Sequence, residues 1–208
     1  MIQDIDNSKK NAGYFAADLV QDGMFVGLGT GSTVFFAMER LSERISSEGL
    51  NITGVPTSYQ ATMRAREYGI PLSTLDEHPC LDIAIDGADK IDSSLRMIKG
   101  RGAAQTMERC VADASELFIV VADESKMCEK LHGPVPVEVI PFAFGLFERR
   151  IWESRMSDSD QRDFVRRVWE HNLSRRNLEL GFQFWIQPAR GRRLRARDFR
   201  TPSRFSRL

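Results

Sequence analysis

The feature that most limits the fold is a short apolar run, Met24 to Leu28, that stops on Gly29-Thr30-Gly31-Ser32-Thr33. It gives way at once to a helical pattern with Phe35, Phe36, Met38, Leu41 and Ile45 apolar. A short apolar run closed by glycine reads as a buried strand, and recurrence every three to four residues reads as one face of a helix. Strand, glycine turn and helix in that order open a parallel α/β unit.

The same alternation runs on along the chain. Ser8 to Val20 reads as a helix, with Ala12, Phe15, Ala16 and Leu19 at helical spacing and Asp22-Gly23 ending it. Asn51 to Pro56 reads as a strand, Tyr59 to Tyr68 as a helix, and Pro71 to Leu75 as a short strand. Leu81 to Ile85 is a buried-type strand, Leu95 to Ile98 is extended, and Ala103 to Ala114 suits a helix. Leu117 to Ala122 reads as a central strand, and Val135 to Ile140 is extended between prolines. The expected fold is a mostly parallel, Rossmann-like α/β sheet flanked by helices over residues 1–141.

Beyond Pro141 the composition changes. All six lysines, at positions 9, 10, 90, 99, 126 and 130, precede it, whereas 142–208 holds 16 arginines and no lysine. Gln161 to Trp169 reads as a helix and Phe182 to Ile186 as a strand. From about residue 188 the chain is dense in arginine with few apolar residues and is expected to stay disordered. A different origin for this region, through a frameshift or a fused segment, fits the switch in basic residue. Whole-chain charge balances at 29 acidic against 29 basic residues and points to no particular partner. Cys80, Cys110 and Cys128 are widely spaced, so neither a zinc site nor a disulfide framework is expected. Met1 to Asn11 carries acids and lysines where a signal peptide needs an apolar run, and no stretch has the roughly 20 apolar residues that span a bilayer. A soluble, cytoplasmic protein is expected.

Three motifs carry chemistry. In Gly27-Leu28-Gly29-Thr30-Gly31-Ser32-Thr33 the glycines let the backbone approach a ligand, the next helix offers free N–H groups to an anion, and two hydroxyls follow. The turn is a phosphate cradle or a structural strand-to-helix turn. It matches neither the dinucleotide pattern, since Ser32-Thr33 follow the third glycine directly, nor a P-loop, which needs a lysine. Asp86-Gly87-Ala88-Asp89 follows a buried strand, where open α/β sheets bind ligands. Its carboxylates suit proton exchange with sugar hydroxyls or a metal, and a solvated turn reads equally well. Lys99-Gly100-Arg101-Gly102-Ala103-Ala104 leads to Glu108: a lysine that can stabilise an oxyanion, then a helix carboxylate that reaches a cleft or stays at the surface.

The order of these pieces resembles the A-type ribose-5-phosphate isomerase family. Ser8-Lys9-Lys10, the GLGTGST turn, Thr57-Ser58, the DGAD turn and KGRGAA leading to Glu108-Arg109 all carry the likeness. Ala122-Asp123-Glu124-Ser125-Lys126 and Pro136 to Pro141 complete it, over about residues 1–141. The resemblance implies interconversion of D-ribose 5-phosphate and D-ribulose 5-phosphate, in the pentose phosphate pathway, through an enediolate and without a cofactor or metal. Glu108 is implied as the base between C1 and C2, Asp86 and Asp89 as the groups for ring opening and oxygen-to-oxygen proton transfer, and Lys99 as the enediolate stabiliser. Gly29, Thr30, Gly31, Ser32 and Thr33, with Lys9 and Lys126, are implied at the phosphate, and Gly100, Arg101 and Gly102 at the substrate. The family is dimeric or tetrameric, so a homo-oligomer is implied.

Two departures stand out. Lys90 follows DGAD where the family usually has Glu, and the family's glycine/arginine turn and DNGN-type segment are absent after Pro141, leaving only the start of a helix at residues 141–150. One competing reading is a non-catalytic sugar-phosphate-binding module or an inactive homologue. The chain keeps Asp86, Asp89, Lys99 and Glu108 together, which binding alone does not require. Another reading is a nucleic-acid contact through the arginine-rich end, for which a solvated tail is the simpler account, so no nucleic-acid partner is expected.

Overall fold

The structure, a computed structural model, describes residues 2–133, 135–139, 141–153 and 182–186 of the 208-residue chain. The chain divides into two units, Met1–His132 and Gly133–Leu208.

The first unit alternates helix and strand: α1 Ile2–Asp18, β1 Phe25–Leu28, α2 Ser32–Glu48, β2 Thr53–Pro56, α3 Tyr59–Glu67 and β3 Leu81–Gly87. Then come β4 Lys90–Asp92, β5 Met97–Ile98, α4 Gln105–Asp113, β6 Ser115–Val121 and β7 Met127–Cys128. Four strands form one parallel sheet in the order β2-β1-β3-β6. The chain leaves β1 to one side for β2 and returns on the other side for β3. The boundary between β1 and β3 is therefore a topological switch point, where the loops after the two strands part and leave a crevice.

Alternate residues of each strand feed opposite faces. Val26 and Leu28 of β1 join Ile83 and Ile85 of β3 in the larger core, with Ala16, Ala17 and Val20 from α1, Val34, Met38 and Leu41 from α2, and Ala61 and Ala65 from α3. On the other face Val55, Leu81 and Ala84 meet Val111 of α4. Burying each of these larger aliphatic side chains is worth about 1.5–3 kcal/mol, enough to fix which face of each helix turns inward.

The apolar run of residues 117–122 does not stand at the sheet centre. Among the described residues β6 is the edge strand, pairing with β3 alone, and Leu117 is 50% exposed. Its apolar character comes from cover on both faces, since Ile119 packs on the larger core and Phe118 on the smaller one. Residues 71–75 form no strand: Leu72 makes an isolated bridge to Gly54, framed by Gly54 N–H to Pro71 O (2.8 Å) and Ser73 N–H to Gly54 O (3.0 Å). The extended run at 95–98 shortens to β5, because Asp92 folds the chain into a tight turn, accepting from the N–H groups of Ser94 and Arg96 at 3.0 Å each. β5 pairs antiparallel with β4, which pairs parallel with β7, in a small second sheet. α1 starts at Ile2, earlier than Ser8, with Asp4 in its first turn, where a negative charge suits the helix dipole.

In the second unit β8 Val135–Val139 pairs antiparallel with β9 Phe182–Ile186, the strand expected from the sequence. A 3-10 turn, Pro141–Ala143, leads into α5 Phe144–Trp152. The helix expected at 161–169 and the arginine-dense end from 188 lie outside the described residues. Among the described residues no helix is long and apolar enough to cross a membrane.

Candidate active site

The glycine turn after β1 and the acidic turn after β3 meet at the switch point. Gly29 N–H donates to Ile85 O (2.9 Å), so the turn continues the β1–β3 pairing past the strand end. Asp86, 2% exposed, folds its Oδ1 back to accept from Gly87 N–H (2.7 Å) and Thr30 N–H (3.3 Å). A side chain at position 29 would overlap the Asp86 carboxylate, so only glycine lets the two turns close. Gly31 holds φ 133°, outside the ordinary range for L residues, and serves as the N-cap of α2. Ser32 opens the helix exposed, while Thr33 is buried.

The Thr30 hydroxyl joins two more. Its Oγ1 lies 2.6 Å from Ser58 Oγ and 3.1 Å from Thr57 Oγ1, and Ser58 Oγ accepts from Ala61 N–H (3.0 Å) as the N-cap of α3. The end of β2 thereby braces the glycine turn. Thr57 and Ser58 carry family likeness in the sequence without an assigned role. The cap signal, a serine before the Tyr59 helix, is what marks Ser58.

Lys99, directly after β5, reaches the centre of the crevice. Its ammonium donates to Asp86 Oδ2 (2.9 Å) and to Gly87 O, and it lies 3.3 Å from Glu108 Oε2. Glu108 sits in the first turn of α4 and is 5% exposed, so the buried alternative for this helix carboxylate holds. Its Oε2 accepts no hydrogen bond and is met by charge alone. Burial pushes the Glu108 carboxyl above the usual glutamate range; the Asp86 charge adds to this and Lys99 opposes it. The backbone before α4 is bent to aim this residue, with Gly100 at φ 109° and Ala103 at φ 57°.

The remaining expected residues divide. Asp89 is partly buried and its Oδ2 accepts from Arg101 N–H (3.0 Å), which ties the acidic turn to the KGRG segment. Gly100 is buried, whereas Arg101 and Gly102 are exposed at the rim. Lys9 and Lys126 do not join the Lys99 cluster; their charges act on Asp123, after β6. Lys90, in the family's glutamate position, directs its ammonium to His132 Nδ1 (2.8 Å). Among the described residues no group of three or more His, Cys, Asp or Glu side chains is placed to hold a metal.

A buried carboxylate with a raised pKa, a lysine held against it, and a second buried carboxylate on the same lysine can move a proton at a carbon next to a carbonyl and hold the oxyanion formed. Comparison with known proteins meets this geometry. The family model for ribose 5-phosphate isomerase A (phosphoriboisomerase A) matches residues 53–168. The "Ribose-5-phosphate isomerase A" of Methanoregula boonei is 65% identical over 136 residues, which is 65% of this chain and 57% of that one. This chain thus spans little more than half that relative's length. Among solved structures, ribose 5-phosphate isomerase A from Methanocaldococcus jannaschii is 35% identical with a TM-score of 0.66, covering 88% of this chain and 91% of that one. A D-ribose-5-phosphate isomerase in complex with phospho-erythronic acid is 42% identical with a TM-score of 0.66, covering 71% and 66%. With more than half of its residues inside the family model and its parallel sheet shared with these structures, the chain belongs to the ribose 5-phosphate isomerase A family.

Proposed function

We propose that this chain interconverts D-ribose 5-phosphate and D-ribulose 5-phosphate, an aldose–ketose isomerisation of the non-oxidative pentose phosphate pathway. The observation that carries the reading is the convergence of Glu108, Lys99 and Asp86 in one buried cluster. The names of the relatives support it, as does the phosphorylated sugar acid in the solved relative.

In this reading Glu108, ionised, removes the proton from C2 of the open aldose. The C–H pair becomes the C1–C2 double bond, and the carbonyl pair moves to O1. Lys99 faces that oxyanion and stabilises the enediolate. Protonated Glu108 then returns its proton to C1, while a proton passes from O2 to O1 with Asp86 beside the path. No electron leaves the sugar. Asp89 serves ring opening at the rim. The GTGST turn, Lys9 and Lys126 take the phosphate, whose charge suits free helix N–H groups and ammonium ions.

Residues 1–141 are the proposed catalytic domain and 142–208 a divergent region. The chain acts as a cytoplasmic homo-oligomer, a dimer or tetramer, which sedimentation of the purified protein tests. The central test is turnover of ribose 5-phosphate by the full chain beside Glu108→Gln. Turnover that disappears in a folded variant is the expected result. Near-normal turnover in the variant refutes the role of Glu108, and a wild-type chain that binds ribose 5-phosphate without converting it refutes the enzyme.

A further inference from the structure

Thr57 directly follows β2, and its N–H donates to Leu28 O (2.9 Å), so the end of β2 stays tied to the end of β1. Its side chain is 1% exposed, and its Oγ1 meets Thr30 Oγ1 at 3.1 Å and no other group among the described residues. A hydroxyl taken out of water must give its proton to something, because a buried donor left unmade is costly. Thr57 therefore donates to Thr30. Ser58 Oγ lies 2.6 Å from the same Thr30 oxygen and already accepts from Ala61 N–H (3.0 Å). Its own proton is free to be given, and among the described residues the acceptor in reach is Thr30 Oγ1. Two donors fill both lone pairs of the Thr30 oxygen and leave that hydroxyl one proton and no acceptor site. The backbone N–H of Thr30 is engaged with Asp86 Oδ1 (3.3 Å), so the hydroxyl is the donor that residue 30 has to offer a ligand. A Cβ at Gly102 would meet Thr30 Cγ2 at 3.4 Å, so the threonine methyl lies toward the KGRG segment while the hydroxyl lies toward Thr57 and Ser58.

We propose that Thr57 and Ser58 are positioning residues that make Thr30 a donor-only hydroxyl, directed at an oxygen of the substrate's phosphate; this rests on the sugar-phosphate reading. A lone threonine hydroxyl rotates and offers a ligand either its proton or a lone pair. Occupying both lone pairs removes the second choice before the ligand arrives, so less ordering is left to binding. A donor whose oxygen accepts from two others is also polarised by them and binds more strongly. An anionic oxygen, which only accepts, gains most from such a donor. Neither Thr57 nor Ser58 touches the ligand in this arrangement; both act through Thr30.

The test compares the full chain with Thr57→Val and Ser58→Gly. Thr57→Val keeps the shape and deletes the hydroxyl. Glycine at an N-cap costs little relative to serine, so Ser58→Gly keeps the start of α3. Inorganic phosphate binding is measured by calorimetry, and KM and kcat are measured with ribose 5-phosphate. Each variant is expected to raise phosphate Kd and KM together by about fivefold, with kcat little changed. Ser58→Thr returns a hydroxyl to the same place and is expected to restore binding. In a Thr30→Val background Thr57→Val should add nothing, because the proton it helps to direct is gone. Should Thr57→Val not fold, Ser58→Gly and its threonine rescue decide. Unchanged phosphate binding in the folded variants overturns the proposal, as does Ser58→Thr as weak as Ser58→Gly, a full effect without the Thr30 hydroxyl, or a wild-type chain that binds no phosphate. Phosphate binding is read without turnover. A chain that isomerises ribose 5-phosphate while its variants bind phosphate normally keeps the isomerase reading and loses this one. An inactive chain whose variants bind phosphate more weakly does the reverse.

Discussion

Gly29 and Asp86 occupy adjoining space so closely that a Cβ on residue 29 would overlap the carboxylate of Asp86 and crowd its Cα. The neighbouring atom is backbone as well as side chain, so the strain cannot be relieved by a rotamer change alone. Gly29→Ala is expected to destabilise the protein by about 1–3 kcal/mol, the usual scale for overpacking. It should also displace Asp86 from its 2.9 Å contact with Lys99 and so lower kcat. Denaturant unfolding and an isomerase assay on the same preparation check both. Wild-type values for both would mean that the two turns are not held as close as described.

Glu108 supplies a pH prediction in two parts. As the proposed base Glu108 must be ionised, and burial holds its carboxyl above its ordinary value. The acid limb of kcat/KM is therefore expected to fall at a pH above the ordinary glutamate value of about 4.3. For stability the sign follows from linkage. Between the unfolded and the raised folded pKa the unfolded chain loses its proton and the folded chain keeps it, so stability falls as pH rises through that window. Glu108→Gln removes this loss. The variant is expected to melt above wild type at neutral pH, and the gap should close below the ordinary glutamate pKa. A lower melting temperature at neutral pH would show that the Lys99 pairing outweighs the desolvation.

Lys99 faces two buried carboxylates, at 2.9 Å and 3.3 Å. Lys99→Met keeps the stem and deletes the charge, leaving Asp86 and Glu108 uncompensated. Breaking a buried pair in this way destabilises by about 3–5 kcal/mol. The protein can escape most of that by keeping a proton on Glu108, so the deficit should be largest at alkaline pH and shrink toward acid pH. Unfolding curves across that range check it. A deficit independent of pH would mean that the lysine contributes packing rather than charge.

Much of this site is legible in the chain because its parts are local. The GLGTGST, DGAD and KGRGAA turns each declare a strand end, and continuous apolar runs alternating with period-3.6 patterns place them on a parallel sheet. The sequence cannot show which of two readings a helix carboxylate takes. Glu108 is resolved as a buried group only when α4 lies across the sheet. The edge position of β6 is hidden for a related reason. The strand's later residues pack on both cores, Phe118 on one and Ile119 and Val121 on the other, so the run is apolar and resembles that of a central strand. The β4 and β7 strands are too short to carry a pattern. That α1 meets the turn after β6, so that the charges of Lys126 and Lys9 are felt at Asp123 and not in the Lys99 cluster, is something no local signal encodes.

Asp92 ties stability to the site from a distance. It is fully buried and gathers the N–H groups of Ser94 and Arg96 and the guanidinium of Arg96, with Nε at 2.7 Å and Nη2 at 2.6 Å. The Arg96 side chain, the largest influence, together with the backbone donors holds the Asp92 carboxyl below the ordinary aspartate range against the opposing effect of burial. A depressed carboxyl contributes stability above its unfolded pKa and loses it as pH falls through the folded value. Asp92→Asn is expected to lower the melting temperature at neutral pH and to flatten the acid limb of the stability curve. The hairpin it closes, β4 to β5, ends immediately before Lys99. A loosened hairpin therefore moves the ammonium off Asp86 and Glu108, and kcat should fall with KM little changed, because the glycine turn proposed to take the phosphate lies on other strands. A variant with a flattened acid limb but unaltered kcat would show that Lys99 is held by its own ion pairs and not by the hairpin that delivers it.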